Sequence, residues 1–442
     1  MAPKLVITHA KRLVATVTAG ALLLTALPLS AVEEQGALPL DELRSFADVY
    51  HQIRMGYVEE IDDSTLLEYA IQGMLMGLDP HSTYLTGDVF QSMEESTKGE
   101  FTGLGIEVGM EDGYVKVISP IDGSPAEEAG LQSGDIILKL DKAPVKGMSL
   151  NEAIDIMRGP KGTDITLTIG RPGESQPFEV VLTRDVIRMA SVRKRWLEPG
   201  YGYIRVAQFQ HRTGDDVRRA LQKLMDEQDI KGLVLDLRNN PGGLLRASVD
   251  VAGLFLDGGN VVYTEGRIAN ADMRYDAAPV DASNGTPLIV LINSGSASAS
   301  EIVAGALQDH GRAVIMGTRS FGKGSVQTVL PLSEDRAVKL TTALYFTPKG
   351  RSIQAEGIEP DIQVERAKVT AYDTSQRISE RDLSGHLGNT TNGGASKSSE
   401  KQVESNLLAT DNQLYEALTL LKGLNVLGMR QQEQEAGQRG DS

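Results

Sequence analysis

The sequence predicts an α/β protein: a parallel-sheet core, a smaller strand-rich domain ahead of it, and helical segments at both ends. Three observations lead there. Between Pro287 and Met316 a strand, a helix and a strand follow one another at the spacing of a right-handed crossover. Between Gly103 and Leu182 the chain reads as short strands around one capped helix. In 38–92 and 411–428 apolar residues return at helical spacing. The 442 residues are enough for two to four domains, and a 40% apolar fraction is enough for a sizeable core.

Composition removes several function classes. Sixty acidic residues against 44 basic ones give a formal charge of −16, with no basic stretch interleaved with aromatics, so nucleic acid is not a partner. No cysteine is present, which excludes disulfides, thiolate metal sites and a cysteine nucleophile. The six histidines form no HExxH pattern, and no metal or other cofactor is expected.

In chain order, Lys4, Lys11 and Arg12 precede twenty uncharged residues, Leu13 to Val32. This is the layout of a signal peptide over 1–31, and it predicts export to the periplasm. An uncleaved anchor helix holding the protein at the membrane is the alternative. Next, Leu43, Phe46, Tyr50, Ile53 and Tyr57 share one helical face, and Leu66, Tyr69, Ala70 and Met74 mark a second helix that Asp79-Pro80 stops. This helical region, 38–92, reads as a packing or assembly module.

From about 97 the strands begin: 103–108, 114–118 and 134–140, then 165–169 and 178–182. Between them Ser149 and Glu152 have capping-box spacing and open a helix with Leu150, Ala153, Ile154 and Met157 inward. A dinucleotide loop at Gly103 is rejected, because a strand and not a helix follows it. The unit 97–185 resembles a PDZ domain, with Gly103, Leu104, Gly105 and Ile106 in place of that family's carboxylate-binding loop. Glycines there let backbone amides converge on a terminal carboxylate while the peptide adds as a strand. A glycine turn that binds nothing is the alternative.

The core, 186–370, holds three buried strands whose following loops would emerge at one carboxyl edge if the strands are parallel. That edge would gather Gly242 and Gly243, Ser298 and Lys323. Singly, each has a plain explanation. Ser298 and Glu301 have capping-box spacing, Lys323 is a solvated charge, and the two glycines make a turn. Convergence is what favours chemistry. The run Gly317–Lys323 imitates a P-loop, but Gly324 stands where Ser or Thr is needed and a strand follows. His310 lies at the far end of the helix that Ser298 begins, roughly 18 Å away, too far to be its base. His211 is not removed by spacing, only by the lack of a supporting pattern. A desolvated lysine can serve instead. Ser320, three residues before Lys323, is a rival nucleophile; Ser191-to-Lys194 and Ser398-to-Lys401 read as chance.

Beyond the core, 371–410 is rich in Ser, Thr, Asn and Gly and reads as a flexible linker. It leads to an amphipathic helix, 411–428, with Leu414, Leu418, Leu421 and Leu424 on one face. That face docks on the protein's own body or on another subunit.

Over roughly 40–370 the chain resembles the carboxyl-terminal processing proteases, serine peptidases with an embedded PDZ domain. The matching segments are Gly295-Ser-Ala-Ser-Ala-Ser-Glu-Ile302, Gly322-Lys-Gly-Ser-Val-Gln327 and Asp236-Leu-Arg-Asn-Asn-Pro-Gly-Gly243, with Tyr345-Phe-Thr-Pro-Lys-Gly350 and Leu78-Asp-Pro-His-Ser82. The resemblance implies a parallel-sheet serine protease core, with Ser298 as nucleophile, Lys323 as general base and Gln327 orienting the lysine. It also implies that Arg158 helps couple peptide binding to activation. An oxyanion would then be held by the amide of Ala299 and one near Gly242 or Gly243. Protein substrates with accessible C-termini are expected, in a homo-oligomer; cell-wall hydrolases and a helical-repeat lipoprotein adaptor are the partners the resemblance suggests. A PDZ scaffold without hydrolysis is the contrasting class.

Overall fold

The computed structural model describes residues 38–121, 123–268, 271–369, 384 and 407–440, with side chains as far as 428. The expected signal segment and residues 371–406 of the expected linker, Ser384 apart, lie outside the described residues. Those up to Ala70 form one compact unit and those from Ile71 another. Helix α1 (Leu40–Gly56) has Asp41 and Glu42 in its first turn and Arg54 in its last, which suits the helix dipole. Helix α2 (Asp63–Met76) begins where the Asp62 carboxylate accepts the Thr65 amide at 3.0 Å.

The stretch expected to be largely helical also holds a strand. Thr83–Thr86 is a strand, β1, ahead of helix α3 (Gly87–Lys98). Its β-branched and aromatic residues favour extension, but the partner that decides it lies some 250 residues downstream, so local periodicity could not show it.

The small domain follows. Its elements are β2 (Glu100–Gly103), β3 (Ile106–Glu111), β4 (Tyr114–Pro120), α4 (Pro125–Glu128), β5 (Ile136–Leu140), β6 (Ala143–Pro144), α5 (Leu150–Met157), β7 (Asp164–Gly170), β8 (Phe178–Thr183) and β9 (Asp185–Arg188). The sheet runs β3-β4-β5-β7-β8, so β3 is an edge strand, while β2 pairs with β9 beside it. The predicted capping box forms: the Ser149 amide donates to Glu152 at 2.7 Å and the Glu152 amide to Ser149 Oγ at 3.3 Å. At the other end of α5, Arg184 donates to the Ile156 and Met157 carbonyls at 2.9 and 3.1 Å. Capped at both ends, α5 stays fixed over a core of Val115, Val117, Ile137, Leu167 and Ile169.

The larger domain has β10 (Val192–Glu198), β11 (Tyr201–Val206), α6 (Thr213–Glu227), β12 (Gly232–Asp236), α7 (Leu245–Gly253), β13 (Asn260–Gly266) and β14 (Met273–Asp276). Then come β15 (Leu288–Ile292), α8 (Ala299–Asp309), β16 (Val314–Gly317), β17 (Ser325–Ser333), β18 (Arg336–Phe346) and β19 (Ile362–Gln363). The central sheet runs β10-β11-β12-β15-β16-β19, parallel from β11 onward, as the crossover spacing predicts. Leu233 and Leu235 face the cluster that includes α6, α7 and α8 residues, while Val234 faces Leu414, Ala417, Leu418 and Leu421. A second, antiparallel sheet joins β1, β18, β13 and β14, with β17 also on β18.

The terminal helix α9 (Asn412–Gly440) therefore docks on its own chain, and it extends past the expected residue 428. Its apolar stripe is confined to the docked part; the Gln- and Glu-rich continuation has none to reveal it. Each of its buried leucines contributes roughly 1.5–3 kcal/mol. The docking is also ionic: Arg238 donates to Asp411 at 2.7 and 2.8 Å and to Asp236 at 2.7 and 3.0 Å. Burial works against the Arg238 charge, but these two carboxylates hold its pKa above the ordinary value. Among the described residues no helix is long and apolar enough to cross a membrane.

Candidate active site

Strands β12, β15 and β16 end on one edge, and the predicted residues collect there. Ser298 stands at the N-terminus of α8 with φ 55° and ψ −112°, a strained backbone for a residue with a side chain. What holds it there is a carboxylate. The Ser298 amide donates to Glu301 Oε2 at 2.7 Å, and the Lys323 amide donates to the same oxygen at 2.9 Å. The other oxygen accepts the Ser320 hydroxyl at 2.6 Å and the Gly322 amide at 2.7 Å. Glu301 is fully buried, and one side chain thus ties the serine turn to the lysine loop. Burial pushes its pKa up, and the four donors pull it partly back.

Lys323 is half-buried. Desolvation, helped by Lys339, pushes its amine below the ordinary lysine value, against the Asp79 and Glu301 carboxylates. The Lys323 carbonyl accepts the phenol of Tyr345, which is 1% exposed and also interacts with the Ser298 side chain. Burial drives that phenol's pKa well up, so it remains a neutral donor. Gln327 does not meet Lys323 in this structure; its amide donates to Ser325 at 3.0 Å and to Thr341 at 3.3 Å.

The glycines sit close behind the serine. A Cβ on Gly242, at φ +103°, would come 2.8 Å from both the Ala297 carbonyl and Ser298 Cβ, and 3.1 Å from the Ala299 nitrogen. The Gly242 amide is taken by Asn240 at 2.9 Å. The Gly243 and Ala299 amides have no acceptor among the described residues. The amide directly after Ser298 is therefore a free donor, and of the two expected glycines it is Gly243, next to the Gly242 that abuts Ser298, whose amide is also free.

The rivals are occupied elsewhere. Ser320 is buried, donates to Glu301 and accepts the Ile358 amide at 2.6 Å. The His310 ring is bound to the Asn260 carbonyl at 2.7 Å, at the end of α8. His211 is exposed. Among the described residues no group of three or more His, Asp or Glu side chains is arranged to hold a metal.

In the small domain a groove of about 230 Å³ lies along the free edge of β3, lined by Gly103, Leu104, Gly105, Ile106, Ile154 and Met157, with Arg158 and Phe101 among its other walls. The Leu104 and Gly105 amides have no acceptor among the described residues. Arg158 binds Glu95 of α3 at 2.8 Å and lies over the Phe101 ring at 5.9 Å.

Reading by motif had treated Glu301 only as a helix cap. By spacing, Asp79 is a helix stop, Tyr345 belongs to a matching segment and Lys339 to a strand-like run, and none of these readings brings them to the site. Their signal is a contact across the fold, which spacing does not carry.

Family models match three segments: peptidase family S41 over 200–364, a PDZ domain over 116–171, and the N-terminal domain of the activating protease CtpB over 24–89. The carboxy-terminal-processing protease of Bartonella bacilliformis is 48% identical over 388 residues, 86% of this chain and 88% of that protein. The carboxyl-terminal-processing protease of Synechocystis is 41% identical, covering 68% and 71%. Among solved structures, a photosystem II D1 C-terminal processing protease is 33% identical, covering 73% of this chain and 93% of that one, with a TM-score of 0.43.

Proposed function

We propose how this chain, which belongs to the carboxy-terminal processing proteases of peptidase family S41, performs its hydrolysis: Ser298 attacks the peptide and Lys323 is its base. The observation that carries this reading is the shared Glu301 oxygen, which brings the serine turn and the lysine loop together. Neutral Lys323 takes the Ser298 proton as Oγ attacks the scissile carbonyl carbon. The oxyanion is met by the Ala299 and Gly243 amides, the first at a positive helix end. Collapse expels the amine, which takes the proton back from Lys323, and water then hydrolyses the ester by the same route. Gln327 orients the lysine.

Substrate C-termini dock at Gly103–Ile106, where the free amides of Leu104 and Gly105 donate to the carboxylate and the peptide extends β3. Arg158, on the wall of that groove, couples occupancy to the core. Export to the periplasm rests on Lys4, Lys11, Arg12 and the uncharged run after them. The scaffold alternative has no observation in its favour, since the relatives are proteases.

Two peptides differing only in a free or amidated C-terminus test the docking step. Amidation removes a charge-assisted hydrogen-bond pair, so kcat/KM should fall roughly 10- to 100-fold, with Ser298→Ala inactive on both. Equal rates on the two peptides would remove C-terminal recognition.

Gly242→Ala tests the close approach behind the serine. A methyl there displaces the 297–299 backbone, and kcat should drop about 10²-fold. Wild-type kcat in this variant would mean that the turn has slack the geometry does not suggest.

A further inference from the structure

The turn ahead of β1, Asp79–Ser82, is used by no step above, yet it packs against β18 of the second sheet, which also carries Lys339. We propose that Asp79 is a positioning residue of the active site: through the Thr341 hydroxyl it fixes which way round the Gln327 amide is held, and so which end is free to turn to Lys323. This rests on the Ser298–Lys323 reading given above and extends it.

The argument is one of donors and acceptors. Asp79 Oδ1 accepts the His81 amide at 2.7 Å, the Ser82 amide at 2.9 Å and the Thr341 hydroxyl at 3.1 Å. Its Oδ2 accepts the Ser82 hydroxyl at 2.6 Å, and Ser82 Oγ accepts the Thr341 amide at 3.1 Å. Thr83 pairs with Lys339 immediately after, which clamps the turn to β18. These donors offset the burial of Asp79 and hold its pKa below the usual value, so it is a carboxylate that only accepts.

The Thr341 proton is therefore committed to Asp79, and toward Gln327 its oxygen can only accept. Gln327 must turn its NH₂ to Thr341 and Ser325. The orientation of an amide is otherwise ambiguous, and here the relay decides it. Gln327 Oε1 is left as the free end. That oxygen is the one able to accept a hydrogen bond from the Lys323 ammonium formed when Ser298 is deprotonated, which is the orienting role assigned to Gln327.

The groups facing Lys323 are Lys339 on β18, Glu301 on α8, and Asp79 and His81 on the turn. Of these, Asp79 and Glu301 favour the ammonium. His81 is pushed below its ordinary value by burial and by the two lysines, against the Asp79 carboxylate.

The experiment measures kcat, KM and the acid limb of kcat/KM above pH 7 for four full-length variants. Asp79→Asn removes a negative charge beside Lys323 and keeps an oxygen on one side only, so the Thr341 and Ser82 hydroxyls can no longer both donate to it. Its kcat should fall about 10- to 100-fold with KM within about twofold, and its acid limb should move to lower pH, because the neutral amine is then easier to reach. Thr341→Val cuts the relay but keeps the charge, so kcat should fall with the limb unmoved. Thr341→Ser restores the hydroxyl and should restore kcat. An unmoved limb in Asp79→Asn, or Thr341→Ser as slow as Thr341→Val, overturns the proposal. Lys323→Ala is the fourth: if it keeps turnover, the base assignment itself has failed; if it is inert while Asp79→Asn behaves as wild type, only the positioning role has.

Discussion

Lys323→Ala is expected to lower kcat/KM for peptide hydrolysis by about 10⁴-fold or more, with the unfolding temperature close to that of the parent. The contrast follows from how this residue is held. Its place in the fold depends on main-chain groups: the amide on Glu301 and the carbonyl on Tyr345. Truncating the side chain leaves both in place and removes only the amine. Ser298→Ala should match it, since the serine turn is likewise fixed through its amide. Lys323→Arg should be equally inert, because a guanidinium stays protonated across the working range.

The pH profile gives the same assignment a second reading. The base must be neutral to accept the Ser298 proton, so activity should rise as pH rises through the Lys323 pKa. Burial and Lys339 set that midpoint below the ordinary lysine value. If Lys323→Ala retained near-normal turnover while His211→Ala lost it, the base would be His211. The exposed position of His211 weighs against that outcome.

Much of this architecture was legible in the sequence because it is written locally. Period-two and continuous apolar runs marked β12, β15 and β16, the capping pair Ser149 and Glu152 marked α5, and glycines marked the loops at the sheet edge. What escaped is set by contacts that residue spacing does not carry. β1 is extended because β18 pairs with it. The glycine pair offers two amides by sequence, but Asn240 occupies that of Gly242. Gln327 was expected beside Lys323, and its neighbours proved to be Ser325 and Thr341. Glu301 shows the division within one side chain. Its bond to the Ser298 amide is the three-residue spacing of a helix cap, whereas its bonds to Ser320, Gly322 and Lys323 reach about twenty residues ahead.

Glu301→Gln should therefore damage activity out of proportion to its size. The carboxylate only accepts, and it takes four donors, two on each oxygen. A glutamine must place an NH₂ on one side. If it faces Ser298 and Lys323, two buried amides are opposed by a donor. Facing Ser320 and Gly322 is the better choice, since a hydroxyl can turn to accept, but the Gly322 amide is still orphaned. One orphaned buried donor costs about 1–3 kcal/mol, or roughly 2–12 °C in unfolding temperature for a domain of this size. The larger effect is on geometry, because the Gly322 amide is one residue from Lys323. A displacement of the lysine loop by about 1 Å should lower kcat on the order of 10²-fold with KM little changed. Glutamine also mimics the protonated acid, the form that burial favours for Glu301, so protonation of the parent should cost it the same donor. Wild-type kcat in Glu301→Gln would mean that the serine and lysine keep their alignment without the carboxylate, and that other contacts join the two loops.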